Sequence, residues 1–130
     1  MNIYSLKIDE NKVNDGVWCE AFGAEFLIRR LKNKDAQSML NKLLKPHKAA
    51  QRHGTLKDEV LTDIMVKVIS ETVLMDWKSV EDQKGKEIPF NPENAYKLLS
   101  EIEPLRETIL EFAQDQDLFK VEFDKESEKN

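Results

Sequence analysis

The amino-acid sequence predicts an α+β domain: a small N-terminal antiparallel β-sheet built on a hairpin, followed by a mainly α-helical bundle of about four helices. Three observations carry this. Apolar residues alternate with polar ones near the N-terminus, two short apolar runs flank Phe22-Gly23, and beyond Lys34 the apolar period becomes three to four residues. At 130 residues the chain fits one domain, expected over 1–120, with a charged tail, VEFDKESEKN, over 121–130 that has too little apolar content to order itself.

The β region is expected over about residues 3–31. Tyr4, Leu6 and Ile8 alternate with Ser5, Lys7 and Asp9. Runs at Val17 to Ala21 and Ala24 to Leu31 enclose Phe22-Gly23, and glycine suits the positive φ of a tight hairpin. In the second run both faces carry apolar groups, which leaves a helix open for its end.

From Lys34 the helices begin. Asp35 is the expected N-cap, Met39, Leu40, Leu43 and Leu44 share a face, and Pro46 stops the helix because it lacks an amide proton. A polar connector, His47 to Gly54, has room for a helical turn. Thr55 with Asp58 resembles a capping box, and Val60, Leu61, Ile64, Met65, Val68, Thr72 and Met75 form a stripe predicting a central helix to about Trp77. Val73 and Leu74 widen the apolar surface there. Residues 80–90 read as a loop: Asp82 and Gly85 form its turn, and Ile88, Pro89 and Phe90 an extended anchor. Asn91-Pro92 is an N-cap followed by proline at the first helical position, with Phe90 placed to staple on Ala95 or Tyr96. That helix is expected to run to about Ile102. Pro104 opens another in which Leu105, Ile109, Phe112, Ala113 and Phe119 share a face.

Composition narrows the function. Charged residues make up 35% of the chain, above the usual ~25%, so much of the surface is charged. The net charge of -5 is unevenly spread: residues 1–25 carry -3, residues 26–57 carry +8 with Asp35 their sole carboxylate, and residues 58–130 carry -10. Cys19 is the one cysteine, which excludes a disulfide framework within the chain and fits a reducing compartment. MNIYSLKIDE does not read as a secretory signal, and no apolar run approaches the ~20 residues that span a bilayer.

No residue set selects a reaction. His47 and His53 stand in a basic connector without a carboxylate between Asp35 and Asp58, so no metal or cofactor is expected. Cys19 alternates with Val17 and Ala21 as a small hydrophobe facing inward. Trp77 reads as a core aromatic whose indole N–H finds an acceptor. The basic block lacks interleaved aromatics and sits in an acidic chain, which argues against nucleic acid and for an acidic protein partner or acidic helices of the same chain. Arg29, Arg30, Lys45, Lys48 and Arg52 are its candidate partner-binding residues.

As an ordered set, GVWCEAFGAEFLIRRLKN, LLKPHKAAQRHGTL, ETVLMDWKSVEDQKGKEIPFNPENAYKLL and PLRETILEFAQDQDLF resemble the tail assembly chaperones of long-tailed bacteriophages and prophages over roughly residues 16–119. The most specific positions are Asp76, Trp77, Val80, Asp82, Gly85, Ile88, Pro89, Phe90, Pro92 and Asn94, then Leu98-Leu99. Arg29-Arg30 and Lys45-Pro46-His47 add to them. The resemblance implies a non-enzymatic protein of the host cytoplasm, absent from the mature virion. It would bind the tape measure protein and help recruit tail tube subunits, and this chain would be the short form where a frameshift makes a longer one. The alternative is a minor tail or connector component retained in the particle. Self-association is left open.

Overall fold

A computed structural model describes residues 1–122. Its centre is a three-stranded antiparallel sheet in the order β1-β2-β3, formed by β1 (Val17–Ala21), β2 (Ala24–Ile28) and β3 (Leu74–Lys78). Among the described residues six helices accompany it: α1 (Glu10–Asp15), α2 (Lys34–Leu44), α3 (Lys48–Arg52), α4 (Asp58–Thr72), α5 (Pro92–Glu101) and α6 (Glu103–Gln114). Four of these are longer than two turns, so the expected α+β architecture is present.

The hairpin forms where predicted. Val17 pairs with Ile28 and Ala21 with Ala24, and the two-residue turn Phe22-Gly23 has φ of 56° and 74°. Positive φ at both turn positions matches the twist of the flanking strands. Cys19, Ala24, Phe26 and Ile28 are buried on the inner face, whereas Trp18, Glu20 and Glu25 stay exposed.

The strand expected through Tyr4, Leu6 and Ile8 does not form. Asn2 and Asp9 each accept a hydrogen bond from an amide two residues on, at 3.0 and 2.9 Å, starting a 3₁₀ turn (Ile3–Leu6) and α1. These local side-chain bonds compete with extended pairing. Of the segment only Ile8 joins a β-bridge, to Lys120, flanked by Asp9 N–H to Phe119 O at 2.7 Å and Val121 N–H to Lys7 O at 2.9 Å. Val121 is thus tied to the domain, and the rest of the expected tail, 123–130, lies outside the described residues.

The largest difference concerns the central helix. It ends at Thr72, and after Val73 the chain enters β3 without a loop. Leu74 faces Ile28 and Trp77 faces Phe26, with a bulge between Leu27 and Ile28 where β2 meets β3. The bulge inserts an extra residue, so inward side chains stand three apart instead of two. That spacing imitates a helix, which is why the apolar stripe reads as continuous. Thr55 does not cap α4; its hydroxyl donates to Ala50 O.

Asn33, not Asp35, caps α2. Its Oδ1 accepts from Ala36 N–H at 2.8 Å, and its buried Nδ2 donates to Arg30 O and Thr72 O at 2.7 and 3.2 Å. Asn33→Ala is expected to cost about 2 kcal/mol, combining a lost cap with the lost donor to Arg30 O and one of the two donors to Thr72 O. Thr55→Ala should stay within about 0.5 kcal/mol. Urea unfolding midpoints separate the two.

The core joins the inner sheet face to α4, α5 and α6 through Val66, Ile69, Val73, Leu99, Ile109 and Ala113. Phe119, in a 3₁₀ turn (Gln116–Phe119) and not on the face of α6, is also fully buried.

Candidate partner-binding surfaces

The loop after β3 is built by the residues singled out in the sequence. Asp82 Oδ1 accepts from the amides of Lys84 and Lys86 at 2.8 and 3.0 Å, and Gly85 takes φ of 79° to close the turn. The return brings Ile88 N–H to Val80 O at 2.8 Å. Ile88 O then accepts from the Trp77 indole at 2.7 Å, and Phe90 meets the same indole edge-on, with ring centroids 5.0 Å apart. Phe90 therefore packs on Trp77 and against the core that includes Ala95. Asn91 caps α5 through Asn94 N–H, with Pro92 in its first turn, and Asn94 Nδ2 holds Pro89 O. Asp76 accepts from Trp77 N–H at 2.8 Å. Asp76, Ile88 and Phe90 hold Trp77 directly.

Above Trp77 lies an open groove of about 350 Å³. The hairpin supplies Phe22, Ala24 and Phe26; the loop supplies Ser79, Val80, Glu81 and Ile88; the α5–α6 corner supplies Leu98, Ile102, Pro104 and Leu105. Glu81 is the one charged lining residue. Phe22 and Ile102 stand exposed at its lips, at 67% and 42%. Sequence reasoning passed over both. The legible signal at Phe22 was a bulky aromatic in a turn position that favours Asn, Asp or Gly.

The basic block does not form one surface. Arg29 is 7% exposed and points inward, its Nε donating to Val13 O at 3.3 Å and its Nη1 to Asp35 Oδ2 and Thr72 O at 3.0 and 3.3 Å. As a candidate contact residue it is corrected: burial commits it to the fold. Arg30 is half-buried, whereas Lys45, Lys48 and Arg52 are exposed on α3 and the 3₁₀ turn before it (Lys45–His47). Among the described residues those three form no ion pair with a carboxylate.

Two titratable sites have structural roles. Burial pushes the Cys19 thiol up to about 11 from its ordinary 9.0, with Asp115 adding to the effect. The folded protein keeps the thiol neutral where the unfolded chain ionises it, so this contribution to stability is intact below pH 9 and is lost as pH rises through 11. Iodoacetamide at pH 8 should label Cys19 slowly in the native protein and promptly in urea. On the surface, the Tyr96 hydroxyl donates to Asp63 and, with Lys67 at 3.1 Å, holds that carboxyl below its ordinary range, pinning α5 to α4. Among the described residues no three His, Cys, Asp or Glu side chains gather as a metal set, and no helix is long and apolar enough to cross a membrane.

The family model for the YdaY prophage protein matches residues 31–130. The chain belongs to the YdaY prophage protein family. The YdaY match takes in everything from Leu31 onward, including the loop that holds Trp77 and the α5–α6 side of the groove. The hairpin side, Phe22, Ala24 and Phe26, precedes it. No curated protein and no solved structure matches the chain. The YdaY description reaches as far as a prophage protein, and the tail-assembly role expected from sequence is finer than it.

Proposed function

We propose that this prophage protein is a non-enzymatic tail assembly chaperone that binds the tape measure protein and helps recruit tail tube subunits in the host cytoplasm. What carries the reading is a convergence. The positions most specific to the resemblance, Trp77, Val80, Ile88 and Leu98 among them, line one open apolar groove, and Asp82, Gly85, Phe90 and Pro92 hold its wall. A shallow apolar groove in a strongly charged exterior suits reversible capture of side chains from a larger partner. Small-molecule pockets, by contrast, enclose most of their ligand's surface.

Co-expression with the tape measure and tail tube proteins of the same prophage tests this. A soluble, co-purifying complex is expected. Equal solubility of the tape measure protein without this chain, and no pull-down by either protein, would overturn the reading. Stoichiometric peptides of the chain in purified virions would instead mark a minor tail or connector component.

The exposed basic residues of α3 and the 3₁₀ turn before it offer a second contact. Reversing Lys45, Lys48 and Arg52 to Glu should weaken capture and flatten its salt dependence, with unchanged circular dichroism. Unaltered capture at low salt would restrict α3 to solvated surface.

A further inference from the structure

We infer that the groove takes an amphipathic helix whose apolar stripe is flanked by lysine or arginine. This rests on the reading above, that the chain holds a partner protein, and states the chemistry of the segment held.

Shape comes first. The groove does not end at Ile102; it continues past Ile88 and Leu98 into a cleft of about 460 Å³ whose charged lining is Glu81, Asp82, Lys84, Lys97 and Glu101. The result is a track with an apolar floor and two prominent lips, suited to side chains arriving at intervals of three and four from one helix face. An extended strand would need a row of free backbone groups. In the loop wall the amides of Asp82, Gly85 and Ile88 are already spent on Lys86 O, Asp82 O and Val80 O, at 2.8, 3.0 and 2.8 Å. A partner seated against this wall must bring its own satisfied backbone, as a helix does.

Charge selects the flanks. The charged residues that line the track are three carboxylates, Glu81, Asp82 and Glu101, against two ammonium groups, Lys84 and Lys97. Glu81 and Glu87 face one another in an antiparallel bridge, and like charges placed opposite in that way are destabilising. A cationic flank relieves this repulsion, and an acidic one adds to it.

Backbone strain marks the same place. Among the described residues, Phe22 and Ser79 are the non-glycine residues with positive φ, 56° and 64°, and both line this groove. For a non-glycine residue the left-handed conformation is strained, and such strain collects at binding sites. At Phe22 it buys an aromatic side chain held outward at the lip.

The test uses two synthetic peptides with one shared leucine stripe at helical spacing, one flanked by Lys and the other by Glu, titrated into the full chain at low salt. The Lys peptide should bind at least ~10-fold more tightly, with an advantage that shrinks as salt is added. Phe22→Asn places a residue that tolerates the left-handed turn, so the fold is kept, and Ile102→Ser alters only an exposed site; together they should weaken the Lys peptide at least ~10-fold. Glu81→Lys with Glu101→Lys should reverse the preference. Equal binding of the two peptides, preference for the Glu peptide, or indifference to Phe22→Asn with Ile102→Ser would overturn the inference. So would a concentration-dependent dimer abolished by Phe22→Asn, since the groove would then hold a second copy. Discrimination between peptides with no effect on the tape measure protein would leave this inference standing and remove the chaperone reading. A solubilised tape measure protein with undiscriminated peptides would do the opposite.

Discussion

Arg29→Ala is expected to lower the stability of the domain by about 3 kcal/mol, seen as a fall in the urea midpoint at constant slope. The guanidinium ties together carbonyls from two elements, Val13 of α1 and Thr72 of α4, while reaching Asp35 on α2. Removing it leaves buried acceptors short of a donor and opens the space its stem had filled. The ion pair itself contributes little, because Asp35 is 70% exposed and water screens it. Asp35→Ala should therefore cost less than about 1 kcal/mol, and added salt should leave the Arg29 effect almost unchanged. Arg29→Lys should fall between, since one ammonium cannot reproduce the geometry of the fork. Equal losses for Arg29→Ala and Asp35→Ala would show that charge pairing, not backbone satisfaction, is what matters here.

Trp77→Ala should be at least as damaging, at about 3–5 kcal/mol, because it removes a large side chain that is 6% exposed between the sheet and the loop. It also frees Ile88 O and strips Phe90 of its edge-on partner. Trp77→Phe keeps most of the burial and loses the hydrogen bond, for about 1–2 kcal/mol. The two replacements separate packing from bonding. Hydrogen exchange at the Ile88 amide, bonded to Val80 O, reads out whether the loop has come loose. A Trp77→Ala protein with native exchange there would refute the view that Trp77 anchors the loop.

How much was legible followed from how local each determinant is. The Phe22-Gly23 hairpin, the Pro46 stop, the Asn91-Pro92 cap and the Asp82–Gly85 turn depend on neighbours within a few residues, and all four are present. Trp77 as a buried indole with an acceptor was also readable. What escaped depended on distant partners. A strand at Leu74–Lys78 exists because β2 offers it an edge, and its bulge disguised the period. Arg29 sits beside Arg30 in a basic run, yet only the arrival of Val13 and Thr72 turns it inward. The loop motif was visible as a set, but the groove requires the hairpin and the α5–α6 corner to arrive at the same place.

The bridge between Ile8 and Lys120 has a consequence for how the protein is born. Phe119, wholly enclosed beside that bridge, is made long after Ile8 and Lys7, the partners of its neighbours Lys120 and Val121. Residues 7–9 must therefore wait until residues 119–121 have been made before their pairing can close. Until then the hairpin has emerged without Ile109 and Ala113 to cover its inner face. Completion of the domain waits on Phe119, and a nascent chain stalled before it presents an unfinished core to the cell.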